Sequence, residues 1–281
     1  MEKYTFSGHE SFQCKSIWLK KGYDFIEGKN SFNDDSSIVK LGVGKNMVSS
    51  IRYWLKAFGI VDEEMEPTLL ARYIFDSREG RDPFLEDIFT VWILHYNLVK
   101  TNYATLYNEF FLNFQRGVIE FNKREVFEFI RRQFSLDLFG NTKFNSNTIK
   151  KDIDVLIKNY VTPKKSRKSD DAFTLLSRLH LINLMDTDNY ILTPPYAESY
   201  LPYLFSMALI DNAEQTRVLD FNEAKKLGLI FCLSESRTVK LLEMISQMNL
   251  GISYQNTAGE QLITIHTDCD IYIFLDQYYN A

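Results

Sequence analysis

The sequence predicts a mainly α fold with small β-hairpins (α+β): an N-terminal winged helix-turn-helix, a central helical region and a C-terminal winged-helix-like module. Three observations predict it. Apolar residues recur at helical spacing through much of the N-terminal half. The 22 Phe and 16 Tyr among 281 residues indicate large aromatic cores, and this length suits two or three domains. Near the C-terminus, a helical pattern precedes two short β-like stretches around a Gly-bearing turn, which is typical of a hairpin.

The N-terminal elements are predicted to be helices joined by tight turns. We expect a first helix over about residues 12–27 and a turn at residues 30–35. The segment SSIVKLG then forms a short helix that stops at Gly42. A longer helix opens near Asn46 and ends at Gly59, where a C-terminal glycine cap belongs.

The middle of the chain is predicted to be helical. Helices are expected near residues 84–99, 103–115, 122–136 and 147–160. The segment that follows lacks periodicity, and its basic run Lys164–Lys168 suits an exposed linker. The same run suits a segment that follows a phosphate backbone, and the sequence does not separate these two interpretations.

The last hundred residues are predicted to alternate helix and strand. FTLLSRLHLINLM (173–185) is expected to be a helix, NYILTP (189–194) a strand and residues 234–249 a helix. GISYQN and QLITIH flank a turn at residues 257–260, and a helix followed by a hairpin is the skeleton of a winged helix.

Four segments follow from these elements. They are a winged helix-turn-helix DNA-binding domain (1–80), a helical domain (81–160), a basic loop and helical connection (161–214) and a winged-helix-like domain (215–281).

Composition and charge narrow the class of protein. The chain starts without a secretory pattern and has no apolar run of membrane-spanning length. Its three cysteines form no CxxC pair, which is typical of reduced thiols. We therefore expect a cytoplasmic protein that does not bind a membrane. The net charge of −5 excludes a generally basic DNA-coating protein. The charge is uneven, however: residues 1–60 carry nine Lys or Arg against six acids, and such a local excess can bind nucleic acid.

The longer N-terminal helix has a polar side without Asp or Glu. Its apolar side comprises Met47, Val48, Ile51, Trp54, Leu55 and Phe58. The polar side is formed by Lys45, Ser49, Arg52 and Lys56, extended by Asn46, Ser50 and Tyr53. These residue types contact phosphates and base edges. With Lys40 on the preceding helix, the pattern predicts a DNA-reading helix, whereas the simpler interpretation is a surface helix that merely carries positive charge.

Two groups of residues are candidates for catalysis. His9 and Glu10 are adjacent, and such a pair can act as a base, although it commonly fixes a loop. Asp82, Glu86 and Asp87 could together hold Mg²⁺ or Mn²⁺ in a nuclease, but acids at a helix start are favourable for the helix itself. No specific catalytic signature is present, so the catalytic residues and any metal site stay open. His95 is expected to be a core histidine.

Three segments resemble a known family. FSGHESFQCKSIWLKKGYD (6–24), LGVGKNMVSSIRYWLKAFGIV (41–61) and DPFLEDIFTVWILHYNLV (82–99) are similar to the bacterial domain of unknown function 4007 family, to which SspB-like proteins belong. The resemblance implies a role in DNA phosphorothioation and anti-phage defence, beside a cysteine desulfurase and an ATP-dependent sulfur-transfer protein. It also implies that such a protein nicks DNA so that sulfur can be inserted, without assigning the nick to particular residues.

Three functions remain open from the sequence. The first is a DNA-binding component of that modification system, with or without a metal-dependent nickase activity. The second is a transcription regulator built on the same winged helix but without a nuclease. The third is a protein-docking adaptor, in which the aromatic middle of the chain recruits partners.

Overall fold

A computed structural model of the chain describes residues 4–162, 174–195, 199–213, 217–257, 260–266 and 271–280. The chain forms two compact units, Met1–Thr193 and Pro194–Ala281. The division into four segments stays a prediction, and the basic run Lys164–Lys168 lies outside the described residues. Within the described part of the chain, no helix is both long enough and apolar enough to cross a membrane.

The first unit consists mainly of helices. They are α1 (Trp18–Glu27), α2 (Ser37–Leu41), α3 (Lys45–Ala57), α4 (Leu69–Phe75), α5 (Ile88–Lys100), α6 (Thr105–Glu109), α7 (Lys123–Ser135) and α8 (Ser146–Tyr160). A π-helical turn at Phe110–Phe114 continues α6, and a 3₁₀ turn lies at Leu176–Leu179. The helices predicted near 84–99, 103–115, 122–136 and 147–160 are therefore confirmed, with boundaries shifted by a few residues.

The first unit also contains a small antiparallel sheet. Its strands are β1 (Glu120–Asn122), β2 (Ile182–Leu184) and β3 (Asn189–Leu192), in the order β1-β3-β2. Phe121 lies opposite Tyr190 in the register, and their rings stack with centroids 5.6 Å apart. The sheet thus joins the segment before α7 to the residues that follow α8.

Helix α5 forms the centre of the first unit. Ten of its 13 residues are buried, because it is apolar on nearly every side, and a helix with that pattern belongs inside a core. Asp87 begins it by accepting a hydrogen bond from the Phe89 N–H. His95 is completely buried, with its Nδ1 2.7 Å from the Tyr160 hydroxyl, so the prediction of a core histidine is confirmed.

Side chains at the C-terminal end of α5 and just after it bind the end of α3. The last carbonyl groups of a helix have no partner within it. Here Asn97 donates to the Phe58 carbonyl at 2.7 Å and Thr101 donates to the Ala57 carbonyl at 2.7 Å. Gly59 follows with a φ of +64°, which confirms the predicted glycine cap.

Among its described residues, the second unit combines four helices with a second small sheet. Its elements are α9 (Leu201–Ala213), β4 (Val218–Asp220), α10 (Phe221–Ile230), α11 (Glu235–Gln247), β5 (Ile252–Thr257), β6 (Glu260–Ile265) and α12 (Ile271–Tyr279). The strand order is β4-β6-β5, and all pairs are antiparallel. A helix followed by a hairpin is present at the expected place, whereas the winged-helix arrangement stays a prediction for both ends of the chain.

The first predicted helix begins later than expected, and the helix predicted over 173–185 was wrong. Residues before Trp18 are not helical: the Cys14 N–H donates to the Asn159 side chain at 2.9 Å, and Lys15 forms a β-bridge with Thr174. The segment predicted as a helix over 173–185 instead holds the 3₁₀ turn and β2 among its described residues. In both places contacts with distant parts of the chain override a local apolar pattern.

We predict that Gly59→Ala destabilises the fold more than Gly117→Ala. Both glycines have positive φ, at +64° and +75°, so both variants carry the cost of a left-handed alanine, about 1–2 kcal/mol. A Cβ at Gly117 meets nothing within 4 Å, whereas one at Gly59 would lie 2.5 Å from Asn97 Nδ2 and disturb its bond to Phe58. Urea unfolding should show an additional loss of about 1 kcal/mol for Gly59→Ala. Equal losses in the two variants would contradict this account.

Candidate nucleic-acid interface

A glycine-bearing turn joins α2 to α3. Gly42 ends α2 with a φ of +59°, and a left-handed residue at this position is favourable mainly for glycine. Gly44, in extended conformation, precedes the first residue of α3, Lys45. The short helix, the turn and the longer helix predicted from the sequence are therefore present, and α2 and α3 contact each other.

The inner side of α3 is built from apolar side chains, as the sequence predicted. Ile51, Trp54, Leu55 and Phe58 are completely buried, and Val48 nearly so. The Trp54 indole N–H also donates to the Phe12 carbonyl at 3.1 Å, which ties α3 to the N-terminal segment. These contacts fix the rotation of α3 and thereby determine which side chains face solvent.

The first turn of α3 presents an exposed polar surface. Lys45, Asn46 and Ser49 are all exposed, and Gly44 provides no side-chain cap. The first N–H groups of a helix have no intrahelical partner, and together with the helix dipole they favour an anion. We call Lys45, Asn46 and Ser49 the α3 entry face. It combines a cation, an amide and a hydroxyl without an acidic side chain.

Two further predicted residues border this face and are held by asparagines. Lys40 Nζ donates to Asn30 Oδ1 at 2.6 Å. The half-buried Arg52 donates to Asn33 Oδ1 at 3.0 Å. An amide oxygen carries no formal charge, so neither contact is an ion pair. Their head groups are thus positioned rather than paired with acids.

The far end of the predicted polar side differs from expectation. The Lys56 side chain is only 15% exposed, and its Nζ donates to the Glu63 carbonyl at 3.2 Å, with the Glu63 carboxylate 3.8 Å away. Ser50 is completely buried and Tyr53 is 6% exposed. The expectation that Ser50 and Tyr53 extend the polar side is therefore wrong, because aromatic packing takes Tyr53 into the interior.

Tyr53 packs beneath the N-terminal segment. A Cβ at Gly8 would lie 2.6 Å from the Tyr53 ring, so only glycine permits this approach. The Tyr53 ring also meets His9 edge to face, with centroids 5.6 Å apart. Burial raises the pKa of the Tyr53 hydroxyl well above its usual value, and the negative charge of Asp152 adds to this. The phenol therefore remains neutral at physiological pH.

His9 is a structural residue, bound through both ring nitrogens. Its Nδ1 accepts from the Ser11 N–H at 3.1 Å, so the proton of the neutral ring lies on Nε2. Nε2 then donates to Asp152 Oδ1 at 2.9 Å, while the Ser7 N–H donates to Asp152 Oδ2 at 2.9 Å. His9 and Asp152 are 3% and 5% exposed. With both nitrogens engaged, His9 is not placed to act as a base, and Glu10 points into solvent as an exposed residue.

The acids proposed as a metal site do not form one. Asp82 is buried, and its two carboxylate oxygens accept from the N–H groups of Glu86 and Asp87, at 2.7 and 3.0 Å. Asp87 caps α5, and Glu86 is exposed. Across the described ranges, no three His, Cys, Asp or Glu side chains are grouped so that they could hold a metal ion. The arrangement fits the structural interpretation, in which acids bind the backbone at a helix start.

Three residues that hold predicted candidates were not themselves predicted from the sequence. Asp152 binds His9, Asn30 binds Lys40 and Asn33 binds Arg52. Asp152 offered one signal: by helical spacing it falls on the apolar side of α8, beside Ile149 and Ile153, where an acid needs a buried partner.

Comparisons with known proteins agree with this fold. The sequence model of DUF4007, described as a protein of unknown function, matches residues 6–279. A magnesium ion-bound SspB crystal structure matches with a TM-score of 0.83 and 24% identity, covering 98% of this chain and 88% of that one. A second SspB crystal structure matches with a TM-score of 0.82 at the same identity and coverage. A likeness at this identity shows a shared fold. No curated protein matches the chain.

We predict that Asp152→Asn lowers the free energy of unfolding by about 1–3 kcal/mol, because an amide turns an NH₂ group toward either Ser7 or His9 and leaves a buried donor without an acceptor. Asp154→Asn is the matched control on the same helix. Its carboxylate is 48% exposed and binds Lys123, so its loss should cost less than about 1 kcal/mol. Urea unfolding of the two variants measures the difference. A loss for Asp154→Asn as large as that for Asp152→Asn would refute the proposed role of Asp152.

Proposed function

This chain belongs to the DUF4007 family, and we propose that it is a DNA-binding component of a bacterial DNA phosphorothioation and anti-phage defence system. The observation that carries the proposal is the α3 entry face. Lys45, Asn46 and Ser49 are exposed together at an uncapped helix start, on a helix whose opposite side is locked into the core. Such a helix start suits a phosphate, and an asparagine beside it can contact a base edge.

The likeness to SspB supports the modification system as the setting. Both SspB structures share this fold over nearly the whole chain. The resemblance of three N-terminal segments to SspB-like proteins points the same way, and the α2–α3 turn lies within one of them. We propose that the companion proteins are a cysteine desulfurase and an ATP-dependent sulfur-transfer protein, which copurification from one bacterial lysate can test.

Strand nicking has no identified metal-binding residues in the described part of this chain. One of the matching SspB structures contains a magnesium ion, but the described part of this chain offers no group of three metal-binding side chains. The carboxylates of Asp82 and Asp87 serve the backbone instead. The proposed role is therefore to bind and orient DNA for the other proteins of the system.

A transcription regulator and a docking adaptor predict different behaviour. A regulator would bind one duplex sequence tightly and would leave the phosphorothioate content of DNA unchanged when deleted. An adaptor would bind no DNA at all. The DNA-modification role requires both duplex binding and a loss of phosphorothioate when binding is impaired.

We predict that Lys45→Gln weakens duplex binding several-fold and lowers the slope of log affinity against log salt by about 0.9, the value for one lost phosphate contact. Fluorescence anisotropy with a 30-base-pair duplex at several salt concentrations measures both. Lys56→Gln is the control on the same helix, because its charge is already held by Glu63, and we expect an unchanged slope.

In cells that carry the modification system, Lys45→Gln should also reduce the phosphorothioate content of genomic DNA, measured by mass spectrometry of digested DNA. If Lys45→Gln and Lys56→Gln behave alike, the α3 entry face is not the contact. If duplex binding falls but phosphorothioate does not, the modification role is wrong and the regulator is favoured.

A further inference from the structure

Three phenylalanines form a half-exposed surface on α7 and the loop before α8. Phe127 and Phe134 lie seven residues apart on α7, so they share one face of that helix. Both pack against Phe144, with ring centroids 6.0 and 5.3 Å away. Phe144 is 40% exposed, and the two α7 rings are half-buried. We call these three rings the phenylalanine face.

Cations border this face. Lys150 Nζ lies 5.4 Å from the centroid of the Phe127 ring, within the range of a cation–π contact. Arg131 falls between Phe127 and Phe134 by helical spacing and is exposed, and Lys143 is the exposed neighbour of Phe144. Positively charged side chains thus lie beside the flat apolar rings.

The acids of the same region are largely occupied. Five acidic residues lie between positions 123 and 160, against eight Lys or Arg. Glu125 closes the capping box of α7, Asp152 is buried and bound to His9, and Asp154 binds Lys123. Glu128 lies 3.5 Å from Arg131. Asp137 remains as an exposed acid in the loop. The balance around the rings is therefore positive.

Phe144 is the exposed member of the phenylalanine face. Phe134 packs inward on Phe6 and on the buried Phe139, whereas the outward side of Phe144 remains in solvent. An exposed aromatic ring is unfavourable for a free protein, and exposed apolar patches mark binding sites. Leu136 and Leu138, in the same loop between α7 and α8, are exposed as well. The bordering cations indicate a polyanion as the occupant.

We propose that the phenylalanine face binds single-stranded DNA, with a base stacked on Phe144 and the backbone followed by Lys143, Arg131 and Lys150. Stacking requires an unpaired base, because the flat faces of paired bases are covered within the duplex. Cations along the path supply the salt-dependent attraction to phosphates. This site lies on α7 and α8 and is separate from the α3 entry face, so it extends the proposed function to a second form of DNA.

The test uses the full chain with a fluorescein-labelled 15-nucleotide oligo-dT and with the 30-base-pair duplex. Phe144→Ala should weaken oligo-dT binding roughly tenfold, the scale expected for one lost stacking contact, and leave duplex affinity within about twofold. Phe84→Ala is the control, because Phe84 is 78% exposed and lies outside this face, before α5. It should change neither affinity.

A second variant reports stacking directly. Phe144→Trp keeps an aromatic face and should keep oligo-dT affinity within about threefold of the unmodified protein. Trp18, Trp54 and Trp92 are at most 1% exposed, so any additional emission quenched by oligo-dT arises from position 144. Circular dichroism confirms that both variants fold.

The outcomes separate the two proposals. Selective loss of oligo-dT binding in Phe144→Ala, with quenching in Phe144→Trp, supports the single-strand site. Unchanged oligo-dT affinity, equal loss in Phe84→Ala, or unquenched Phe144→Trp overturns it and favours a protein partner for the exposed rings. Loss of duplex binding in Lys45→Gln with intact oligo-dT binding concerns only the α3 entry face.

Discussion

A buried carboxylate on α8 holds the N-terminal segment in place. Asp152 accepts hydrogen bonds from the Ser7 N–H and from His9 Nε2, and the His9 ring is in turn oriented by the Ser11 N–H. A buried charge is favourable only when its hydrogen bonds are complete, so this pair of bonds fixes one geometry for the segment. The segment then covers Tyr53 of α3, and the Gly8 backbone approaches the ring as closely as the absence of a Cβ allows.

The surface of α3 is a consequence of how its other sides are used. Its apolar side and Tyr53 are buried in the core. Its last carbonyl groups accept hydrogen bonds from Asn97 of α5 and from Thr101, which follows α5. Lys56 donates a hydrogen bond to the Glu63 carbonyl in the loop that follows α3. What remains for a ligand is the first turn, where the helix dipole and free N–H groups add to the charge of Lys45. The cationic stripe that was predicted along the whole helix is thus reduced to a small group of exposed residues at its N-terminal end.

The elements that the sequence predicted well are those decided by local pattern. The helices α3, α5, α7 and α8 show apolar periodicity and clear end signals, such as Gly59 and Asn122, and each is present. The exposure of Lys45, Asn46 and Ser49 followed from the same periodicity. The burial of Tyr53 could not be predicted in this way, because a tyrosine suits either the buried or the exposed side of a helix. Here its ring packs closely on the Gly8 backbone, which is far away in the sequence.

Features that depend on contacts between distant residues could not be predicted from the sequence. Residues 12–17 carry a helical pattern, yet Cys14 and Lys15 bind Asn159 and Thr174, which are far along the chain. His9 was a catalytic candidate because Glu10 is adjacent to it, and its structural role could not be predicted because its partner Asp152 lies 143 positions away. The acids at 82–87 had two local interpretations, a metal site and a helix start, and the hydrogen bonds of Asp82 to the backbone favour the helix start.

The separation between Ser7 and Asp152 also determines when the protein can finish folding. The two residues are 145 positions apart, so α8 must leave the ribosome before the first segment can be fastened. At about 5–20 residues per second, this takes roughly 7–30 s after Ser7 is synthesised. From their own synthesis until then, Tyr53 and Trp54 lack the cover that the N-terminal segment provides, and closing so long a loop is slow in any case. A nascent chain stalled before α8 would therefore expose aromatic surface and become a substrate for chaperones or proteases.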